Sequence, residues 1–410
     1  MAERLALFNH PDWNSSGKLV SSDSFLIDQV IGLLNQAEEG CQVRMTVSGW
    51  DVADSQVQYD GILNAMKSAV ARGVDIKFVA PMLWTPNPDD PEDKIEWFQM
   101  RADGAVISEL DKLYRGNIRH WPGSQELCRN INHNKFICFS QLRGAESQPK
   151  WVVANMSCNW RYRDRDRPND MLLFAEDRGV YLAFLRYWQA LWMASGQAQS
   201  LPKYKVIYDD IPAGLRVYFL PLPDGSTDPV LDLLNSVIVT SGTKVRVVMA
   251  TWGYGGRGKT ILDKLLSLSN AGADVRVIAH HELQFNHEEE WRRCSLDPLD
   301  DVNTYGYCET TQAIWEKMAA QGLIRWAKSS SHSKYILVDG PLVGGGAQTH
   351  RVVLTGPLNF GNPVTYSDCA MAENVVVLRD DDAIYQRYLD NFNWLCQEAW
   401  RSSNLTLCGD

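Results

Sequence analysis

The sequence predicts an α/β protein: two similar α/β/α sandwich lobes related by a pseudo-twofold axis, each with a mainly parallel central sheet, and one active site between them. Three observations predict it. The chain repeats itself at half its length, each repeat runs strand–helix–strand, and one group of polar residues recurs in both repeats at the same offset.

The repeat comes first. Val43-Arg44-Met45-Thr46-Val47 matches Val245-Arg246-Val247-Val248-Met249 at an offset of 202, and Trp50 and Trp252 follow. Helical stretches come next, Ile62 to Val70 and Ile261 to Leu268. Each stops near a glycine, Gly73 or Gly272, where a left-handed residue closes a helix. The strands Val74 to Val79 and Ala273 to Ile278 follow, at an offset of 199. The register persists to the C-terminal helices, Val180 to Trp192 and Ile384 to Cys396. Strand–helix–strand order implies β-α-β crossovers and a parallel sheet covered by helices. The lobes are residues 1–200 and 201–410, joined near Gln199 to Pro212, where the pattern breaks.

Composition bounds the function. The 410-residue chain is 45% hydrophobic with a formal net charge of −10, which supports a packed core and argues against disorder. Generic nucleic-acid binding rests on neutralising phosphates with cations, so this charge opposes it, although a local basic cleft is compatible with it. No window approaches the ~18–20 apolar residues of a membrane-spanning helix. The nearest, Tyr181 to Ala194, carries Arg186 and Gln189 and reads as an amphipathic helix. The start, MAERLALFNHPDWN, lacks the basic and apolar regions of a secretory leader. Nine cysteines without a CxxC argue against a zinc ribbon or thioredoxin-like site. Cys138 and Cys158 read as core residues, and Cys294 and Cys308 could close a loop in an oxidising compartment. Fifteen tryptophans suit cores and also lipid-facing surfaces. The tryptophans and the Cys294/Cys308 pair lean towards secretion, and the missing leader leans the other way.

The polar group carries the chemistry. Asn132-His133-Asn134-Lys135 runs into a strand, as does Ser331-His332-Ser333-Lys334, with the histidines 199 residues apart. Residues i and i+2 of a strand share a face, so each His points with its Lys. Each copy is followed by an asparagine, Asn159 and Asn359, 26 and 27 residues on. One His-x-Lys is common by chance, whereas two at the same phase of a repeat mark a site. Brought together, these residues make a cationic, donor-rich pocket suited to phosphate oxygens. Imidazole can attack phosphorus or act as base, and imidazolium can protonate a leaving oxygen. His280, His281 and His287, near Glu288 to Glu290, lack a clean metal-ligand spacing and read as a surface loop.

This is an HxK(x)4D…GSxN arrangement, and the sequence resembles the phospholipase D superfamily as a two-repeat member over nearly its whole length. The resemblance implies one active site built by both repeats, acting on a phosphodiester with no metal or other cofactor. It implies a phosphohistidine on His133, with His332 as general acid and then base, roles that could be reversed. Lys135, Lys334, Asn159, Asn359 and Ser157 would hold phosphoryl oxygens. An acid would orient each histidine: Asp170 in the first half, and Glu373 or Asp368 in the second. Glu373 to Val377 resembles the nuclease branch, while the spacing of Asp368 is nearer the secreted bacterial phospholipase branch. Three departures stand out. Ser140 replaces the first motif's Asp, which Asp339 keeps in the second; Met156 replaces a glycine, and Pro357 a serine.

Arg161, Arg163, Arg165 and Arg167, interleaved with Asp164 and Asp166, read first as a solvated loop and second as a rim attracting an anionic headgroup. Trp50 and Trp252 fit a pocket mouth and a core equally well. Three activities compete: phospholipase D-type cleavage or transfer at a phospholipid headgroup, a metal-independent nuclease or phosphodiesterase, and an impaired descendant. A cardiolipin-type synthase ranks behind them for want of a membrane segment. The expected partner is a phosphodiester, a phospholipid before nucleic acid, met by transient membrane-surface contact, and the chain is expected to be a monomer.

Overall fold

The computed structural model describes residues 2–14, 18–51, 57–83, 99–101, 117–121, 131–143, 149–195, 207–252, 256–279, 314, 316–326, 331–346, 348–361, 363–365 and 371–398. The main strands of the first lobe are β1 (Glu3–Phe8), β2 (Gln42–Thr46), β3 (Asp75–Ala80), β4 (Ile118–His120), β5 (Ile131–Asn132), β6 (Phe136–Gln141), β7 (Lys150–Met156) and β8 (Asp170–Ala175). Its helices are α1 (Phe25–Gln36), α2 (Val57–Ala71) and α3 (Arg178–Ser195). The second lobe has β9 (Ile207–Asp210), β10 (Leu215–Leu220), β11 (Lys244–Met249), β12 (Asp274–Ala279), β13 (Ile324–Trp326), β14 (Tyr335–Pro341), β15 (Thr349–Thr355) and β16 (Met371–Arg379). Its helices are α4 (Pro229–Ser236), α5 (Gly256–Asn270) and α6 (Asp382–Glu398).

The expected crossover helices are the bodies of α2 and α5, and both stop as their glycines dictate. At Gly73 (φ 87°) the N–H groups of Gly73 and Val74 donate to Val70 and Ala69. At Gly272 (φ 105°) those of Gly272 and Ala273 donate to Ser269 and Leu268. This paired backbone bonding closes a helix with a left-handed residue.

The first sheet runs β1-β8-β7-β6-β2-β3-β4 and the second β9-β10-β16-β15-β14-β11-β12-β13. Apart from the extra edge strand β9, the second order repeats the first strand for strand. The likeness extends to side chains: Arg44 pairs with Asp75 at 2.6 Å, and Arg246 with Asp274 at 2.5 Å, at matching places on β2–β3 and β11–β12.

The sheets are mixed, and the expected mainly parallel character holds only at the β-α-β edge. There β2–β3–β4 and β11–β12–β13 pair in parallel. From β2 through β6, β7 and β8 to β1 every pairing is antiparallel, as is its counterpart in the second lobe. The chain from Gln141 to Lys150, or from Pro341 to Thr349, is too short for the crossover that a parallel pair needs.

Helices α1 and α2 cover the outer face of the first sheet, and α4 and α5 that of the second. α3 and α6 lie between the sheets, where one buried cluster joins Phe184, Tyr187 and Leu191 to Tyr385, Tyr388 and Phe392. Each braces the other lobe. Phe184 of α3 meets Phe219 of β10 edge-on at 5.2 Å, and Tyr388 of α6 meets Phe8 of β1 at 4.9 Å. β5 also crosses over, pairing in parallel with β16.

Trp50 stacks edge-on with Trp160, and Trp252 with Phe360, all fully buried. They are core pairs rather than a pocket mouth. Cys138 and Cys158 are buried thiols, and Cys396 is disulfide-bonded. Among the described residues no helix is long and apolar enough to cross a membrane. Cys294 and Cys308 lie outside the described residues.

Candidate active site

Both His-x-Lys segments lead directly into central strands, β6 and β14, and each is fastened to the opposite lobe. The N–H of His133 donates to the carbonyl of Ala372 at 2.9 Å, and that of His332 to Pro168 at 2.8 Å. Each lysine turns back on its own motif: Lys135 Nζ donates to the His133 carbonyl and Lys334 Nζ to that of His332, both at 2.8 Å. The His-x-Lys residues precede the strands rather than lying on them, and the lysine-to-histidine carbonyl bond repeats in both halves. His133, Lys135 and Lys334 are buried, and His332 is nearly so.

The groups behind the histidines differ. Nδ1 of His133 bonds Oε1 of Glu373, so a carboxylate from the second lobe holds the first lobe's histidine. Nδ1 of His332 instead bonds Oδ1 of Asn169 at 3.0 Å, with Oδ1 of Asp164 at 3.5 Å. Strand pairing explains the difference. Leu172 faces Asn155 and Val376 faces Thr355, so Asn169 occupies the place of Glu373, and Asp170 that of Asn374.

Asp170, the expected orienting acid, therefore points elsewhere. Its Oδ2 accepts from Thr355 Oγ1 at 2.8 Å and from the Tyr388 hydroxyl at 3.1 Å. The orienting role falls to Asn169, which the sequence reading missed. The signal was present, because the C-terminal helices match at an offset of 204 rather than 200, and 204 maps Glu373 onto Asn169. Asp368, the competitor of Glu373, lies outside the described residues, as do His280, His281 and His287.

The remaining candidates surround this core. Asn159 Oδ1 accepts from Ser48 Oγ at 2.6 Å, which orients its amide nitrogen. The backbone of Asn359 is held by Arg257 at 2.9 Å, and Arg257 is fixed in turn by Asp228. Asn359 Oδ1 is buried with no hydrogen-bond partner among the described residues. Ser157 is engaged structurally, its Oγ accepting the Asp170 N–H at 2.9 Å and so tying β7 to β8. Ser140, in the place of an aspartate, accepts the Gln42 N–H at 2.8 Å at the far end of β6. Arg161 and Asp164 are buried, so the solvated-loop reading fails for both. The Arg161 guanidinium packs on Gly49, where any side chain would collide with it.

Burial and crowded cations set the electrostatics. The His133 imidazole is held well below its ordinary pKa by burial, then by the charges of Lys135, Lys334 and Arg161. His332 is lowered by burial, then by Lys334, Arg167 and Lys135. Burial and Lys334 bring Lys135 well down. Burial brings Lys334 to about 8, against the opposing pull of Asp170, Asp164 and Glu373. Both imidazoles are thus neutral near pH 7, with Nδ1 facing Glu373 in one and Asn169 in the other. Among the described residues no group of three or more His, Cys, Asp or Glu is placed to hold a metal ion.

A family model described as "Cardiolipin synthase, PLD-like domain" matches residues 234–396. No curated protein matches the chain. Among solved structures, phosphatidylserine synthase from Haemophilus influenzae Rd KW20 aligns with a TM-score of 0.61 at 12% identity, over 99% of this chain and 89% of that one. Polyphosphate kinase from Porphyromonas gingivalis gives 0.49 at 11% identity, over 98% and 53%. Nuc from Salmonella typhimurium, a phospholipase D family member, gives 0.28 at 16% identity, over 47% and 96%. Residues 234–396 of the second lobe therefore match a PLD-like domain model, and the chain as a whole is similar in fold to the phosphatidylserine synthase structure.

Proposed function

We propose that this protein cleaves or transfers a phosphodiester through a phosphohistidine on His133, with a phospholipid headgroup ester as substrate. The observation that carries the proposal is the unequal backing of the two histidines. Glu373 stabilises the positive charge that grows on His133 as its Nε2 bonds phosphorus. His332, backed mainly by an amide, is the weaker base and so the stronger acid. Bound substrate brings a negative charge that offsets the lysines, which lets His332 take up the proton it must deliver.

In the first step the His133 Nε2 lone pair forms a bond to phosphorus. The bond to the leaving oxygen breaks, and its electron pair takes the proton from His332 Nε2. In the second step neutral His332 removes a proton from water or an alcohol as that oxygen attacks phosphorus, and the P–N bond returns its pair to His133. Lys135, Lys334, Asn159 and Asn359 hold the charged phosphoryl oxygens through both steps.

The lipid reading draws support from the descriptions of two relatives, the cardiolipin synthase-type domain model and the phosphatidylserine synthase structure. Both names describe synthases, so transfer to an alcohol stands beside hydrolysis, and a synthase returns as a candidate that the sequence reading had set back. The test uses phosphatidylcholine vesicles, bis-p-nitrophenyl phosphate and single-stranded DNA, all with EDTA and with or without an added alcohol. Turnover should be greatest on the lipid, and His133→Ala and His332→Ala should each lower it by at least ~10²-fold. Full activity in both variants would overturn the mechanism, and preference for DNA would overturn the lipid reading.

A further inference from the structure

Asp164 is a buried carboxylate that the reaction above does not use. Its Oδ1 has no hydrogen-bond partner among the described residues, and its side chain is 2% exposed. A buried acceptor left unsatisfied is costly and calls for an explanation. That same oxygen is the one 3.5 Å from His332 Nδ1, just beyond hydrogen-bonding range.

The other neighbour of Nδ1 cannot move. Asn169 Nδ2 donates to the carbonyls of Asp164 at 2.7 Å and Arg167 at 2.9 Å, and its backbone N–H donates to Asn9 Oδ1 at 2.6 Å. Asn9 Nδ2 donates back to the same carbonyls of Asp164 and Arg167. With both amides pinned, Asn169 Oδ1 can only accept, so the neutral tautomer of His332 carries its proton on Nδ1. An amide fixes the tautomer but supplies no charge to balance an imidazolium.

We infer that Asn169 and Asp164 together form a split positioning unit for His332, the charge lying farther from its Nδ1 than that of Glu373 does from His133. Asn169 sets the tautomer. Asp164 supplies the counter-charge, closing on Nδ1 when His332 is protonated, and so makes His332 an effective acid for leaving groups that need a proton. Around this pair stand Lys334 on its own strand, Lys135 and His133 from the other lobe, Arg161 and Arg167 from the loop that carries Asp164, and Asp170 at the start of β8. The inference rests on the phosphohistidine mechanism and deepens it.

The test separates substrates by leaving group. An alkoxide departs only when protonated, whereas p-nitrophenolate departs unaided, so general-acid help of ~10²–10⁴-fold applies to the first alone. Asp164→Asn in the full chain should lower kcat on phosphatidylcholine by at least ~10-fold and on bis-p-nitrophenyl phosphate far less. Adding Asn169→Asp, which returns a carboxylate to the place matching Glu373, should restore turnover of the lipid. Equal losses on both substrates, no loss on either, or no recovery in the double variant would overturn the proposal. ¹⁵N NMR of His332 in the unmodified protein tests the tautomer without any variant. Nδ1–H is expected at pH 7, and Nε2–H would overturn the assignment. Trapping ³²P on His133 of the wild type marks the parent mechanism separately: its absence overturns both readings, whereas its presence with a failed double variant overturns only this one.

Discussion

Lys334 carries a consequence of its own. Held near 8 by burial, its ammonium loses its proton within a range that enzymes tolerate, and a neutral amine cannot clamp an anionic phosphoryl group. kcat/KM should therefore fall on the alkaline side with a midpoint near 8. Lys334→Arg, whose guanidinium stays charged throughout, should move that alkaline limb, leaving only what Lys135 contributes, even if it lowers the maximum, and a pH profile of both proteins checks this. At this scale the sequence was most legible where a residue's chemistry repeats. His133, His332, Lys135 and Lys334 could be read because few residues can serve there and each appears twice. The orienting groups resisted reading because their chemistry does not repeat. One side has a carboxylate and the other an amide, and the nearby Asp170 drew the assignment one residue away from Asn169.

At the scale of elements, the departure at Met156 and the glycine kept at Gly356 acquire a physical reading. Gly356 ends β15 at φ 148°, and a Cβ there would sit 2.6 Å from the carbonyl oxygen of Asn374. Glycine is required by that close approach, and the chain beyond it carries Asn359. Met156 ends β7 where it pairs with Met171, and the next residue, Ser157, clips β8 instead. Gly356→Ala should thus destabilise the protein by about 1–3 kcal/mol, seen as a lower urea midpoint. It should also reduce turnover, because Asn374 bonds Asn134 at 3.0 Å, beside His133. The same substitution at Met156 should act only through lost core volume and leave the backbone path intact. Strand direction was legible only in part for a related reason. The helix-and-glycine signal marks a β-α-β unit, whereas the antiparallel strands follow from short connections, which hydrophobic periodicity does not report.

For the whole molecule, the two lobes share one buried polar core, and that makes the fold sensitive to acid. His133 and His332 are both held below their ordinary pKa of 6.5, burial being the main cause in each. The unfolded chain, where a histidine titrates near 6.5, binds more protons than the native state as the pH drops through that value. Stability from this source is therefore complete above about 6.5 and is lost as the pH falls towards the lowered native values, by up to about 1.4 kcal/mol per pH unit for each histidine. Asp164 and Asp170 act in the opposite direction. Burial raises both above 3.8, so in their own range the native state takes up protons first and acid relieves their cost. The two contributions separate by mutation. Urea unfolding of the wild type should show stability declining from pH 7 to pH 5. His133→Gln combined with His332→Gln should flatten that decline, since a neutral amide leaves nothing to titrate at either place. A slope unchanged in the double variant would mean that the acid sensitivity arises outside the site, and that the shared core does not set the pH range in which the two lobes stay folded together.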